Sequence, residues 1–251
     1  MPFTLSHPAA VLPLRRTGLP MAALVCGSMA PDLHMVVPGV TDEMTHRWQG
    51  VPTVDLVLGL ALTAFWVLVL APTATAAAPE PLRARLRPPP RYAARDWLLA
   101  LPGVVVGAAT HVGWDTFTHQ DMWGGQHVPW LYETHHGYPG FQLTQYASSI
   151  VGLVIVALWA VVVLRQRTPR PAPGHPRSRA ARLALGVPIG LGLLTGLVLS
   201  VAIAGTGQTT TDFVLYAGIR SGLVITCVGG VIGAVWWRLL HGTTAGLAPG
   251  R

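Results

Sequence analysis

Four apolar runs, Pro52–Ala71, Trp97–Phe117, Thr144–Leu164 and Leu183–Gly205, each hold the roughly 20 residues a helix needs to cross a bilayer. A fifth, Val214–Trp237, is long enough but carries Arg220. Leu19–Pro31 is too short to span and reads as a half-membrane or interfacial helix, with Ser6–Arg16 as its partner in a short hairpin. The expected fold is therefore all-α: a polytopic helical membrane protein of about five transmembrane helices plus a short N-terminal helical hairpin. Composition agrees, because 51% of the 251 residues are hydrophobic and only 11% are charged, against about a quarter charged in soluble domains.

All 17 basic residues are Arg, and the net charge is +7. They cluster between the apolar runs and not in a nucleic-acid-like patch, so no nucleic acid partner is expected. Arg83, Arg85, Arg87, Arg91 and Arg95 fall between the first two spans. Arg165, Arg167, Arg170, Arg177, Arg179 and Arg182 fall between the third and fourth. Both loops are short enough for the positive-inside rule, which makes them cytoplasmic and puts Thr118–Leu143 and Thr206–Phe213 outside. The expected location is a bacterial plasma membrane, crossed several times. The N-terminus lacks a basic region before an apolar core and an A-x-A site, and it reads as mature protein. Cys26 and Cys227 have no CxxC partner, so neither a disulfide framework nor a cysteine zinc site is expected. The expected organisation is a membrane domain over 1–165, a Pro/Arg-rich cytoplasmic linker over 166–182 and a two-helix scaffold over 183–240.

Eight of the ten histidines lie in the first 136 residues. In THVGWDTFTH, His111, Asp115 and His119 recur every fourth residue, which on a helix lines one stripe. Imidazole and carboxylate are the usual nitrogen and oxygen ligands of zinc and related ions. One helix supplies only part of such a shell. His7, Asp32 and His46, all approaching the outer side, are the candidates for the remainder. Ser6 is placed to cap the helix that His7 opens. His127, His135 and His136, with Asp121 and Glu133, are read as able to complete a second ion, bind a head group or act as general acid or base. Asp55 reads as an interfacial residue and His34 as a loop side chain or a ligand. Ionisable groups inside a membrane usually serve a function, which applies most directly to His111 and Asp115.

The segments MPFTLSHPAAVLPL, ALVCGSMAPDLH, GAATHVGWDTFTH and QYASSIVGL, in that order, resemble a bacterial domain-of-unknown-function family, DUF4184, over about residues 1–165. That resemblance implies a membrane protein and leaves the reaction open. The order His7, Asp32, His46, then His111-x3-Asp115 is similar, more distantly, to membrane-bound metal-dependent hydrolases and to the zinc-dependent phospholipase C and single-strand nuclease superfamily. This second resemblance implies that Asp32, His46, His111 and Asp115 hold one ion and that His7 joins Asp115 at another, with help from the N-terminal backbone. It implies a third ion at His119 or His127 with His135 or His136. The chain opens Met1-Pro2 where the soluble enzymes use a Trp amine, and it lacks a second His-x3-Asp or His-x3-Glu pair, so one or two ions are expected.

The leading expectation is a membrane-embedded metal-dependent hydrolase, its divalent ion being zinc, acting at the outer face on a phosphoester or lipid head group. Glu133 or Asp121 is the expected general base. Two other readings stand beside it: an ion- or proton-handling transporter, and a non-enzymatic scaffold whose polar cluster only fixes helix packing.

Overall fold

The computed structural model describes residues 4–86, 91–170, 178–204 and 211–241, with the side chains of 211–216 left aside. Met1, Pro2, Arg87 and Arg177, each named above, lie outside the described residues, as does most of the expected outer connection Thr206–Phe213.

Five helices are long and apolar enough to cross a membrane, and the protein is a multi-pass helical membrane protein. After a short helix α1, Met21–Met29, come α2 (Val54–Ala77), α3 (Ala94–Asp115), α4 (Gly140–Gln166), α5 (Arg179–Ala204) and α6 (Thr211–His241). Each span overlaps its expected run, and the ends differ for local reasons. The first run was expected to stop at Ala71, before Pro72. The helix instead widens into a π turn over Trp66–Leu70 and accommodates Pro72 in the first turn of Ala71–Ala77. In α3 the Asp96 carboxylate accepts from the Ala93 N–H at 2.8 Å, which starts the helix three residues before Trp97.

The chain forms two compact units, Met1–Phe65 with Arg91–Arg167, and Trp66–Pro90 with Thr168–Arg251. The sequence grouped Trp66–Pro90 with the N-terminal domain, whereas in the structure it packs with the C-terminal helices. The Arg238 Nε–H donates to the Leu68 carbonyl, 2.9 Å away in the π turn, and Ala76 and Ala77 pack on the cluster of Ala181, Ala184 and Trp237.

In the first unit, α1 and α3 meet backbone to backbone. Ala23 and Gly27 on α1 face Gly103, Val104 and Gly107 on α3, a small-residue seam at four-residue spacing. A Cβ on Gly107 would collide with the Leu24 carbonyl and lie 2.7 Å from the Ser28 nitrogen; one on Gly27 would collide with the Val104 carbonyl. Ala23, Ala100 and Val104 are fully buried there, with Leu56 and Leu60 of α2 packed on them. Above this core Val51, Ala108 and Val112 form a second cluster. The N-terminal turn Thr4–Ser6 sits on α4 at Gly152, whose missing side chain makes room for Ser6 (2.7 Å from a Cβ placed there). Gly152 belongs to the QYASSIVGL segment. The seam and this seat fix the elements that carry His7, Asp32 and His111.

Candidate metal centre

Five short pieces of chain deliver side chains to one buried point. His7, and not the expected Ser6, holds the N-cap position of the Pro8–Val11 turn, and it makes no side-chain capping hydrogen bond there. The ring of His7 instead turns inward and stacks on His111 at 3.6 Å between centroids and 15° between planes. Asp32 comes from the 3-10 turn Pro31–Met35, which α1 enters when Pro31 ends its hydrogen bonding. His46 closes the turn Asp42–Thr45, which Thr41 caps by accepting from the Met44 N–H. His111 and Asp115 occupy the last turn of α3, and both are 0% exposed. His119 follows, half-buried, with its Nδ1 3.2 Å from the Asp115 carbonyl.

The donor atoms form a shell. His111 Nε2 lies 3.2 Å from Asp115 Oδ2, 3.3 Å from His46 Nε2 and 3.6 Å from Asp32 Oδ1. His46 Nε2 lies 3.4 Å from Asp115 Oδ2 and 3.7 Å from Asp32 Oδ1. Four donors bound tetrahedrally at about 2.0–2.2 Å stand roughly 3.3–3.6 Å apart. The five separations above lie close to that spacing; Asp32, His46 and His111 could hold one ion, with Asp115 Oδ2 beside His111 and His46 as a fourth donor. The other oxygen of Asp115 faces His7 Nε2 at 3.8 Å and accepts from the Thr118 hydroxyl at 3.2 Å. Asp115 thus offers one oxygen to each of two positions, and His7, His111 and Asp115 make a second ligand group.

Outer partners orient the rings. His111 Nδ1–H donates to the Ser28 carbonyl at 2.7 Å, leaving Nε2 for the shell. His46 Nδ1 lies 3.0 Å from the Thr45 hydroxyl and 3.2 Å from Asp42 Oδ1, so its Nε2 also points inward. A carbonyl or carboxylate behind a ligating imidazole is the usual support of a metal-bound histidine. The inner atoms carry the opposite signature. His7 Nε2, both oxygens of Asp32, Asp115 Oδ2 and His119 Nε2 are buried without a hydrogen-bond partner, each at a cost of about 1–3 kcal/mol. A cation at their centre resolves most of these together.

Charge at the site follows from burial and the two carboxylates. Burial opposes charge on His46, but Asp115 and Asp32 outweigh it and lift its pKa to about 10. Burial, with His111 beside it, pushes His7 down to about 4, and burial likewise lowers His119. Burial works against the Asp32 carboxylate, yet His46, His111 and His7 hold it below its ordinary range. In the metal-free protein His46 therefore carries a proton at neutral pH that an ion must displace. Zinc binding is expected to release at least one proton, and affinity to rise up to about tenfold per pH unit between about pH 6 and 8. Proton release in weakly buffered solution measures this, and no release would contradict the assignment of His46 as a ligand.

A family model described as a domain of unknown function, DUF4184, matches residues 1–239. The chain belongs to the DUF4184 family. The match runs past the 1–165 of the quoted motifs, so the helices after the Pro/Arg-rich connection are part of the DUF4184 unit. No curated protein and no solved structure matches the chain.

Not every expected residue of the DUF4184 chain reaches the centre. The His127 Nδ1–H donates to the Trp123 carbonyl and its ring stacks on Trp123; His135 does the same with Trp130 through Nε2. His136 is exposed at the tip of the two-stranded turn formed by Thr134–His135 and Tyr138–Pro139, with φ 53°. Asp121 and Glu133 are exposed in the same loop. Among the described residues none of these five enters a ligand group. Asp55, expected at the interface, is instead 0% exposed at the start of α2, and neither carboxylate oxygen has a hydrogen-bond partner. Its place at the head of a span hid it. The signal was the spacing Asp55, Gly59, Thr63, the buried stripe of that helix.

Proposed function

We propose that the protein is a membrane-embedded, metal-dependent hydrolase whose centre faces the outer side of a bacterial plasma membrane and acts on a phosphoester such as a lipid head group. The observation that carries this reading is the shell of Asp32, His46, His111 and Asp115, with donor separations of 3.2–3.7 Å. A divalent ion, zinc by the mixed nitrogen and oxygen donors, supplies Lewis acidity and lowers the pKa of water. The chain's own residues supply the rest. Asp32 and Asp115 balance the ion's charge, while Ser28 and Asp42 hold the two imidazoles in register. His119, half-buried and with an unpartnered Nε2, is better placed to accept or return a proton than the exposed Asp121 and Glu133.

Depth and sidedness support a head-group substrate. Asp115 ends α3, and Arg95 lies 20 residues earlier on the same helix, about 30 Å away along its axis. With the Arg-bearing end cytoplasmic, the centre lies at the outer interface. Trp48, Trp114, Trp123 and Trp130, all exposed and near the site in sequence, suit that zone.

The test is detergent-purified protein as isolated, stripped by chelator and reloaded with zinc, assayed on a chromogenic phosphodiester and on phospholipid vesicles. Hydrolysis that disappears on stripping and returns on reloading is expected. Metal-loaded protein inert on both substrates would sink the hydrolase reading. It would favour ion handling, to which buried Asp55 and, two turns deeper, fully buried Thr63 lend a specific observation; zinc uptake by reconstituted vesicles tests that directly.

A further inference from the structure

The turn that sends Asp32 inward sends His34 the other way. The His34 Nδ1–H donates to the Pro31 carbonyl at 2.9 Å, which leaves Nε2 as a free donor atom facing Asp42 Oδ1 at 3.7 Å. The same Asp42 oxygen lies 3.2 Å from His46 Nδ1, and the rings of His34 and His46 meet edge to face at 5.3 Å. His34, Asp42 and His46 thus make a ligand group of their own.

His46 belongs to both groups. Its Nε2 is part of the buried shell and its Nδ1 faces His34 and Asp42, so one imidazole forms the partition between them. Side-chain exposure falls along this line from 60% at Asp42 through 11% at His34 to 2% at His46. Water reaches the outer group and not the inner one. The outer group has one carboxylate where the shell has two, so it holds a divalent cation more weakly, and the ion gains by moving inward.

We propose that His34 and Asp42, on the outward side of His46, form a second, weaker divalent-cation site through which the ion enters and leaves the buried centre. This rests on the reading of the centre as a metal site and adds its route of loading. An ion arriving from water exchanges part of its hydration shell for Asp42 and His34 before the buried donors take it. A site of this kind changes the rates of binding and release together and leaves the final occupancy alone.

The experiment uses full-length, metal-free protein in detergent, mixed rapidly with Co²⁺ and followed by the visible absorption of the bound ion, with chelator-driven release measured in the same way. His34 is not one of the four inner donors, so His34→Ala and His34→Gln leave the shell in place; Gln guards against a packing defect in the Ala variant. Both variants are expected to load about tenfold more slowly and to release more slowly by the same factor, with equilibrium affinity and ion count unchanged. Wild-type rates in both variants would overturn the proposal. Loss of one ion from the final count would also overturn it, since His34 would then hold a resident ion. A wild-type protein that binds no Co²⁺ or zinc at all would instead remove the buried centre itself.

Discussion

Asp115→Ala is expected to yield a folded, membrane-inserted protein that no longer retains a divalent ion. Asp115 presents a different oxygen to each of the two ligand positions. Its Oδ2 lies 3.2 Å from His111 Nε2 and 3.4 Å from His46 Nε2, and its Oδ1 faces His7 at 3.8 Å. Removing it takes away a donor, one of two buried negative charges and the link between the positions. Loss of an outer-sphere partner alone typically weakens metal binding about 10–100-fold, and loss of a shared ligand should exceed that. His111→Ala removes a neutral donor common to both groups but leaves both buried carboxylates, so it should retain more metal than Asp115→Ala. Metal content by mass spectrometry checks the order, beside circular dichroism to show that the helices persist. Full occupancy in Asp115→Ala would refute the proposed shell.

The way this site was legible in the sequence, and the way it was not, follow from the forces that build it. The four-residue step from His111 to Asp115 fixes both on one face of a helix whatever surrounds it, so that pair could be read directly. Asp32 and His46 could be nominated because a Gly/Pro turn and the approach to a span place them at one depth. No periodicity says that His46 would share Asp115 with His111, or that His34 would turn outward from the turn that turns Asp32 in; those depend on φ and ψ in 3-10 turns. The loop histidines show the converse. His127 and His135 have the composition of ligands, but each finds a carbonyl and a Trp face within five residues, a local solution that competes with any distant ion. The spans themselves were legible because apolar length is sufficient to define them. The partition into two units was not, since it rests on contacts between positions far apart in the chain, such as the Arg238 Nε–H on the Leu68 carbonyl.

The second large effect lies away from any ligand, at Gly107. Gly107→Ala and Gly190→Ala make the same chemical change in two apolar helices, and the structure sets opposite expectations for them. A Cβ at Gly190 meets nothing within 4 Å, so Ala there is neutral or gains up to about 1 kcal/mol of helix propensity. A Cβ at Gly107 overlaps the Leu24 carbonyl and comes within 2.7 Å of the Ser28 nitrogen and 2.9 Å of the Gly27 carbonyl carbon. These are backbone atoms, which cannot rotate aside as a side chain would, so α1 must move away from α3. The cost is roughly 3 kcal/mol or more, at or above the upper end for overpacking. Displacement of α1 also draws the Ser28 carbonyl off His111 Nδ1, a 2.7 Å contact, and carries Asp32 with the end of the helix. Gly107→Ala is therefore expected to lower thermal stability and to lose bound metal together, although residue 107 touches no donor. Thermal unfolding and metal content measured on both variants decide the matter. A Gly107→Ala protein as stable and as metal-replete as Gly190→Ala would mean that the α1–α3 seam does not set the geometry of the centre.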